Sequence, residues 1–376
     1  MPDIFQIEAV DPSGKTKARA GRVHTPHGPF ETPAFMPVGT KGSVKGVGPD
    51  DLRALGAGII LSNALHLMLR PGAETIASLG GLHSFMGWDG PILTDSGGFQ
   101  AHSLRALRKD DPDGILLSSP YDGTRVLLTP ELAIRTQSLL GSDIMMCLDE
   151  CTPWPADERE AARSMGLTHA WARRSLNAWD PSKGALLFGI AQGGFHPRLR
   201  RESAQEIASM GFPGHAAGGL ALGEPRDLRL GAIEATFSVL PEDKPRYLMG
   251  LGTPVDILDG IMLGADMFDC VIPTRNARNG QLFTNRGPIN IGNARYANDP
   301  LPPEEGCDCL ACRSFSRAYL RQLHKNREPL FPRLASVHNL RFYQRLVRMA
   351  RERLKNGTLL DYYKEFLDQY APDAAP

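Results

Sequence analysis

The residues best placed to do chemistry are three aspartates, each closing an apolar run. They sit in Ile92-Leu93-Thr94-Asp95-Ser96-Gly97-Gly98-Phe99-Gln100, in Ile144-Met145-Met146-Cys147-Leu148-Asp149-Glu150-Cys151 and in Met267-Phe268-Asp269-Cys270-Val271-Ile272-Pro273-Thr274-Arg275. A carboxylate among Met, Phe, Val and Ile is costly to desolvate unless it is paired or put to use. Put to use, it attacks as a nucleophile or moves a proton. One such aspartate reads as a strand-end cap. Three on separate runs indicate one site assembled from several strand ends.

A second constellation is Cys307-Asp308-Cys309-Leu310-Ala311-Cys312. Three thiolates this close can hold one soft divalent ion, and a closed structural zinc site needs a fourth ligand. His324 and His338 are the candidates. His338 is favoured because it opens a strongly periodic helix, which would fix it rigidly. Three thiolates and an imidazole leave no open position, so this zinc is expected to be structural.

The elements that must position these groups follow a rhythm. Residues 4 to 38 predict a small antiparallel sheet, with turns at Asp11-Pro12-Ser13-Gly14 and Pro26-His27-Gly28-Pro29. Short apolar runs then recur near Ala34–Val38, Ile59–Ser62, Ile92–Thr94, Ile144–Leu148, Ala185–Ile190, Ala216–Gly218, Tyr247–Met249 and Met267–Ile272. Segments of helical spacing lie between them: Pro130 to Leu140 behind the N-cap Thr129, Asp157 to Ala178, Leu199 to Met210, and Pro254 to Leu263. Eight strands alternating with helices predict an α/β protein, a (β/α)8 TIM barrel with insertions. A doubly wound open sheet is the alternative, and the lack of GxGxxG after the first strand counts against its dinucleotide-binding form. Polar residues gather where these runs end: Asn63 and His66, Asp95 and Ser96, Asp149 and Glu150, Gln192, Gly218 and Gly219, Gly250, Asp269. A barrel places its active site there.

Bulk numbers exclude some classes. The 376 residues are 42% hydrophobic, which suits one large domain or two ordinary ones. Lys+Arg and Asp+Glu are both 42, so global charge says nothing about an anionic partner. Local charge does, because Arg313 to Lys355 carries twelve basic residues against Glu328 and Glu352. Such a cluster favours a polyanion, most simply nucleic acid. The N-terminus has no signal-peptide pattern, and no run approaches the roughly 18 apolar residues that span a bilayer. Six cysteines in so long a chain do not make a disulfide scaffold, which points to a soluble, reducing, cytoplasmic setting.

From about Phe5 to Tyr370 the chain resembles the tRNA-guanine transglycosylases, specifically the bacterial queuine type. The resemblance rests on Thr94-Asp95-Ser96-Gly97-Gly98-Phe99-Gln100, Asp149-Glu150-Cys151-Thr152-Pro153, Ala217-Gly218-Gly219-Leu220 with Gly223-Glu224, Tyr247-Leu248-Met249-Gly250, the Met267 to Arg275 run, Asn279-Gly280, and CxCxxC with a later His. It implies a single barrel domain over 1–376, with a zinc-binding insertion at about 295–345 and C-terminal helices, about 346–376, packing back on the barrel. The activity implied is exchange of guanine at the anticodon wobble position of tRNA for 7-aminomethyl-7-deazaguanine, by a homodimer in which one subunit acts while the other positions the tRNA. The roles carried over are Asp269 as nucleophile on the ribose and Asp95 as general acid/base. Asp149, Gln192, Gly219 and Leu220 would read the base, and Phe99 and Met249 would sandwich it. Ser96, Cys151, Gly218 and Tyr247 complete the substrate pocket, Arg275 and Arg278 contact the anticodon loop, and Cys307, Cys309, Cys312 and His338 hold the zinc.

Base displacement passes through an oxocarbenium-like state, as in retaining glycosidases, so a carboxylate nucleophile plus a second carboxyl is the chemistry needed. A target base turned out of its loop favours a single-stranded RNA substrate. Departures from the family pattern are Ala101-His102 after Gln100, Ala191 before Gln192, and Leu222 where relatives that take queuine have glycine. With Cys151, Leu222 points to the smaller deazaguanine. The end near Pro376 with no added RNA-binding module argues against the archaeal relative. An N-glycosidase hydrolysing nucleosides and an inactive RNA-binding subunit are the alternatives; loss of Asp95 or Asp269 would mark the latter, and both are present.

Overall fold

In the computed structural model, residues 4–98, 108–111 and 113–370 are described. A three-stranded antiparallel sheet comes first, Phe5–Val10, Arg19–Thr25 and Gly28–Thr32, as the turn signals predict. The parallel barrel follows. Its strands are Ala34–Met36 continued by Val38–Gly39, then Ile60–Ser62, Ile92–Thr94, Ile144–Met146, Leu186–Ala191, Gly214–Ala217, Arg246–Leu248 and Met267–Asp269. Each falls on one of the apolar runs.

Closure runs through the first strand, which is split at Pro37. Its leading half pairs with the last strand, Met267 with Ala34 and Asp269 with Met36, and its trailing half pairs with the second, Val38 with Leu61 and Gly39 with Ser62. Proline has no N–H to donate, yet its carbonyl still accepts from the Leu61 amide at 3.0 Å. The sheet is therefore closed by one chain segment serving both neighbours. Buried side chains from successive strands, among them Met36, Leu61, Leu93, Met145, Leu187, Tyr247 and Met267, form one apolar cluster.

The outer layer is largely as the periodicity predicts. Helices span Pro130–Leu140, Glu158–Ala178, Pro197–Ser209, Arg226–Phe237 and Pro254–Met262. Thr129 Oγ1 caps the first of these by accepting from the Leu132 amide at 3.2 Å. Short helices at Pro49–Leu55, Ala64–Leu69, Ala73–Ser78 and Gly81–Met86 lack a readable period at six or seven residues each. The antiparallel sheet Arg108–Asp111, Gly114–Ser118 and Arg125–Leu128 is inserted between the third strand and its helix.

The eighth barrel helix is Leu330–Lys355, separated from its strand by the whole cysteine-bearing segment. It lies between Pro254–Met262 and Pro49–Leu55, the neighbours an eighth helix must have. Gln344 Nε2 donates to the Phe35 carbonyl at 3.0 Å, Tyr343 Oη to Gly252 O at 2.6 Å, and Arg351 Nη1 to Pro33 O at 2.6 Å. His338 therefore sits in the third turn, not at the helix start that the pattern after Ser336 suggests. Pro332 masks the true start, since a proline in the first turn costs no intrahelical bond. At the opposite end of the barrel, Asp143 is buried and accepts from the amides of His27 and Ile92 and faces both His27 and His83, at 2.8 and 3.0 Å. It ties the N-terminal sheet and the Gly81–Met86 helix to the fourth strand.

Among the described residues no helix is long and apolar enough to cross a membrane.

Candidate active site and metal centre

Because all eight strands run parallel, the groups at their C-terminal ends face one opening. A cavity of about 430 Å³ lies there. It is lined by Asp95, Ser96, Asp149, Cys151, Gly218, Gly219, Leu220, Tyr247, Met249, Asp269 and Arg275, all of them expected site residues. Thr40, Asn63, His66, Ala221 and Gly250 line it too. Of these, Asn63, His66 and Gly250 carried a signal, as polar or glycine residues at strand ends. Thr40 and Ala221 carried none, because neither type announces a site.

Each carboxylate is held by named donors. Asp95 ends the third strand, its Oδ1 accepting from the Ala64 amide at 2.9 Å and its Oδ2 from the Asn63 side-chain amide. Asp149 accepts from Gln192 Nε2 at 2.7 Å. Burial, reinforced by the nearby Glu150 and Asp95 charges, pushes its carboxyl up to about 6, against the Gln192 bond. Asp269 Oδ1 accepts from Tyr247 Oη at 2.6 Å and from the Gly250 amide at 2.8 Å. Burial raises this carboxyl as well, and those two bonds oppose the rise. With Oδ1 engaged twice, the ordered Asp269 carboxylate presents Oδ2 for attack.

The floor is built for a flat ligand. A Cβ on Gly218 would stand 2.7 Å from Gln192 Nε2, and one on Gly98 would stand 2.8 Å from the Asp149 carbonyl. Any side chain at either position would push the polar edge apart. Gly219 has φ +67° and Ala221 φ +61°, so the chain turns sharply here. Glu224 secures the turn by accepting from the amides of Ala221 and Leu222 at 2.9 and 2.7 Å. Among the described residues the buried Gln192 Oε1 has no partner. Two carboxylates beside a narrow polar slot suit displacement at a carbon bearing a planar leaving group, one attacking and one handling the proton.

The cysteine cluster closes in space. Single ligand atoms of Cys307, Cys309, Cys312 and His338 lie within 4.8 Å of one another, so the group could hold a metal ion. His338 Nε2 donates to the Phe283 carbonyl at 2.8 Å, which leaves Nδ1 facing Cys312 Sγ at 3.2 Å and Cys309 Sγ at 3.6 Å. A carbonyl partner on the far nitrogen fixes the tautomer a ligand imidazole needs. Hydrogen bonds from Cys309 and Cys312 hold the Cys307 thiol far below its usual range. His324 lies outside this group, against Phe331, which decides the fourth position.

Other expectations are placed differently. Gln192 does not line the cavity; it is hydrogen-bonded to Asp149, which does. Arg275 reaches the cavity rim, whereas Arg278 donates to Thr274 O at 2.9 Å. Phe99 and the Ala101-His102 pair lie outside the described residues. Much of the basic segment is engaged within the protein: Arg317 pairs with Asp299, Arg333 with Asp51, Arg341 with Asp308 and Lys355 with Glu8. The surplus of positive charge there is thus smaller at the surface than in the sequence.

The family model "TGT: Queuine tRNA-ribosyltransferase" matches residues 13–372. A queuine tRNA-ribosyltransferase of Caldanaerobacter subterraneus subsp. tengcongensis is 51% identical over 366 residues, covering 97% of this chain and 98% of the relative. One from Stenotrophomonas maltophilia is 52% identical over 364 residues, 96% of each. One from Francisella tularensis subsp. novicida is 50% identical over 367 residues, 98% of this chain and 99% of the relative.

The Asp149 geometry makes a stability prediction. A buried carboxyl whose folded pKa is about 6 against an ordinary 3.8 costs the fold on the order of 3 kcal/mol at neutral pH. That cost is absent below the unfolded value and fully present above the folded one. Asp149→Asn keeps an acceptor for Gln192 and removes the charge. Its thermal midpoint is expected to exceed that of the parent at pH 7.5, with the gain shrinking as pH falls through about 6. An equal or lower midpoint at pH 7.5 would contradict this.

Proposed function

The chain belongs to the queuine tRNA-ribosyltransferase family, and from that premise we propose that it exchanges guanine at the anticodon wobble position of tRNA for 7-aminomethyl-7-deazaguanine, a step of queuosine biosynthesis. The single observation that carries this reading is that Asp95 and Asp269, from the third and eighth strands, open into one cavity that Asp149 also lines.

Asp269 Oδ2 attacks the ribose anomeric carbon and expels guanine, giving a covalent glycosyl–enzyme ester. Asp95 carries the proton to the leaving ring and takes one from the incoming base. Tyr247 and the Gly250 amide orient the nucleophile and share its charge. Asp149 has two acceptor oxygens, which match the adjacent N–H groups of a guanine edge. The Gly219 amide and Leu220 carbonyl extend that edge, and Met249 packs on the ring. Cys151 and Ser96 bound the pocket, and Leu222 nearby favours a small 7-substituent. Exchange without hydrolysis requires the ester to outlive base release, so a cavity filled by one base or the other is part of the mechanism. Arg275 and Arg278 contact the anticodon loop.

The Cys307, Cys309, Cys312 and His338 set is a zinc site by donor chemistry, three thiolates and an imidazole in tetrahedral number. Zinc bound there would join the cysteines of the proposed insertion, about 295–345, to His338 on the eighth barrel helix and take no part in the reaction. We infer one catalytic domain over 1–376, with C-terminal helices, about 346–376, packing back on the barrel, working as a homodimer in the cytoplasm.

Four experiments test this. Labelled 7-aminomethyl-7-deazaguanine should enter a tRNA whose anticodon begins with guanine, and Asp269→Asn should abolish the protein–RNA adduct. Guanine release without incorporation would instead indicate an N-glycosidase, and an adduct in the variant would reassign the nucleophile. Cys309→Ser should lose zinc by elemental analysis and lower the midpoint of unfolding, and full metal content would overturn the site. Sedimentation velocity should give twice the chain mass, and a monomer at micromolar concentration would remove the dimer.

A further inference from the structure

Behind the polar edge lies a fully buried cation, Arg200, on the helix Pro197–Ser209. Its guanidinium donates to four backbone carbonyls: Nε to Gly194 at 2.6 Å, Nη1 to Gly218 at 2.8 Å and Ala191 at 3.3 Å, and Nη2 to Gly219 at 3.5 Å. Burying a guanidinium is costly, and carbonyl dipoles repay it less well than a carboxylate would. Its position explains the expense. The carbonyls it collects belong to the ends of the fifth and sixth strands, which carry Gln192 and Gly218-Gly219.

A trans peptide is planar, with N–H and C=O on opposite sides. The Gly218 carbonyl points at Arg200, so the Gly219 amide in the same peptide plane points away from it, on the side where Gly219 lines the cavity. The same helix braces the neighbouring strand end, because Ser203 Oγ accepts from the Gln192 amide at 3.0 Å and contacts His169 Nε2 at 2.9 Å. We propose that Arg200 is a positioning residue that sets the Gly219 amide to donate to the exocyclic oxygen of the base, and so selects a 6-oxopurine. This rests on the base-exchange reading above. Asp149 takes the two N–H groups of the guanine edge, and the next group along that edge is the C6 oxygen, an acceptor matching an amide N–H. Lysine cannot substitute, since its point charge cannot span four carbonyls that a planar fork reaches at once.

The test compares binding of guanine with 6-thioguanine, which keeps both N–H donors and replaces the C6 oxygen with a weakly accepting sulfur. The full-length protein should prefer guanine. In Arg200→Lys that preference should fall at least tenfold, while affinity for the tRNA and the zinc content stay unchanged. Arg200→Gln, which retains two donors and no charge, should show the same loss. An unchanged guanine preference in a folded variant overturns the proposal. So does a parallel fall in base and tRNA affinity, or failure of both variants to fold, since either would make Arg200 a general structural residue. A parent protein without any preference for guanine would instead remove the base reading itself.

Discussion

Placing carboxylates together in a cavity walled by apolar side chains is the constraint on which this structure turns. Water would normally solvate them, and a buried carboxylate without that solvation is forced toward its neutral form. Asp149 and Asp269 show the pressure, since burial raises both. The hydrogen bonds that hold them ordered come from neutral donors: Gln192 for Asp149, Tyr247 and a backbone amide for Asp269. Neutral donors orient a carboxylate without quenching it as a tight cation pair would. The roles proposed for them, nucleophile and base-reading acceptor, both need that state.

The barrel supplies these donors because closure brings distant strands side by side. Asp269 and Asp95 are 174 positions apart in the chain and three barrel strands apart around the ring, counted through the split first strand. Pro37 makes the split tolerable by giving up an amide while keeping a carbonyl in the ladder. Were the sheet open at that point, its two edges would carry Asp95 and Asp269 apart, and the cavity would lose its two sides.

The segment between the eighth strand and the eighth helix is the fold's largest interruption. His338 projects from that helix toward Cys309 and Cys312, so a bound metal would pin the interruption to an element of the barrel wall. Asn339, next to it, accepts from the Phe283 amide and donates to Pro273 and Gln281 carbonyls, tying the same wall to the chain just past Asp269. The cysteine–histidine cluster and the strand that ends in Asp269 are thus linked through consecutive residues of one helix.

Much of this was legible in the chain alone. The eight strands were, because a strand buried on both faces must be a short apolar run. The Asp95, Asp149 and Asp269 positions were, because a charge at the end of such a run has a cost that needs a reason. The cysteine spacing was also, since thiolates two and three residues apart can meet on one ion without help from the fold. Tertiary structure decided the rest. Spacing admitted His324 and His338, the helical pattern favoured His338, and the packing of the eighth helix brought that imidazole to the thiolates while the other lies against Phe331. Arg200 gave no signal, because an arginine on a charged helix reads as solvent-facing until the fold shows carbonyls on its inner side. The basic run from Arg313 to Lys355 read as a free cationic surface, and contacts with Asp51, Glu8, Asp299 and Asp308 took up part of it. Local sequence determines what a residue costs and which period it obeys; which partner meets that cost is settled by contacts between segments far apart in the chain, and no window of sequence contains them.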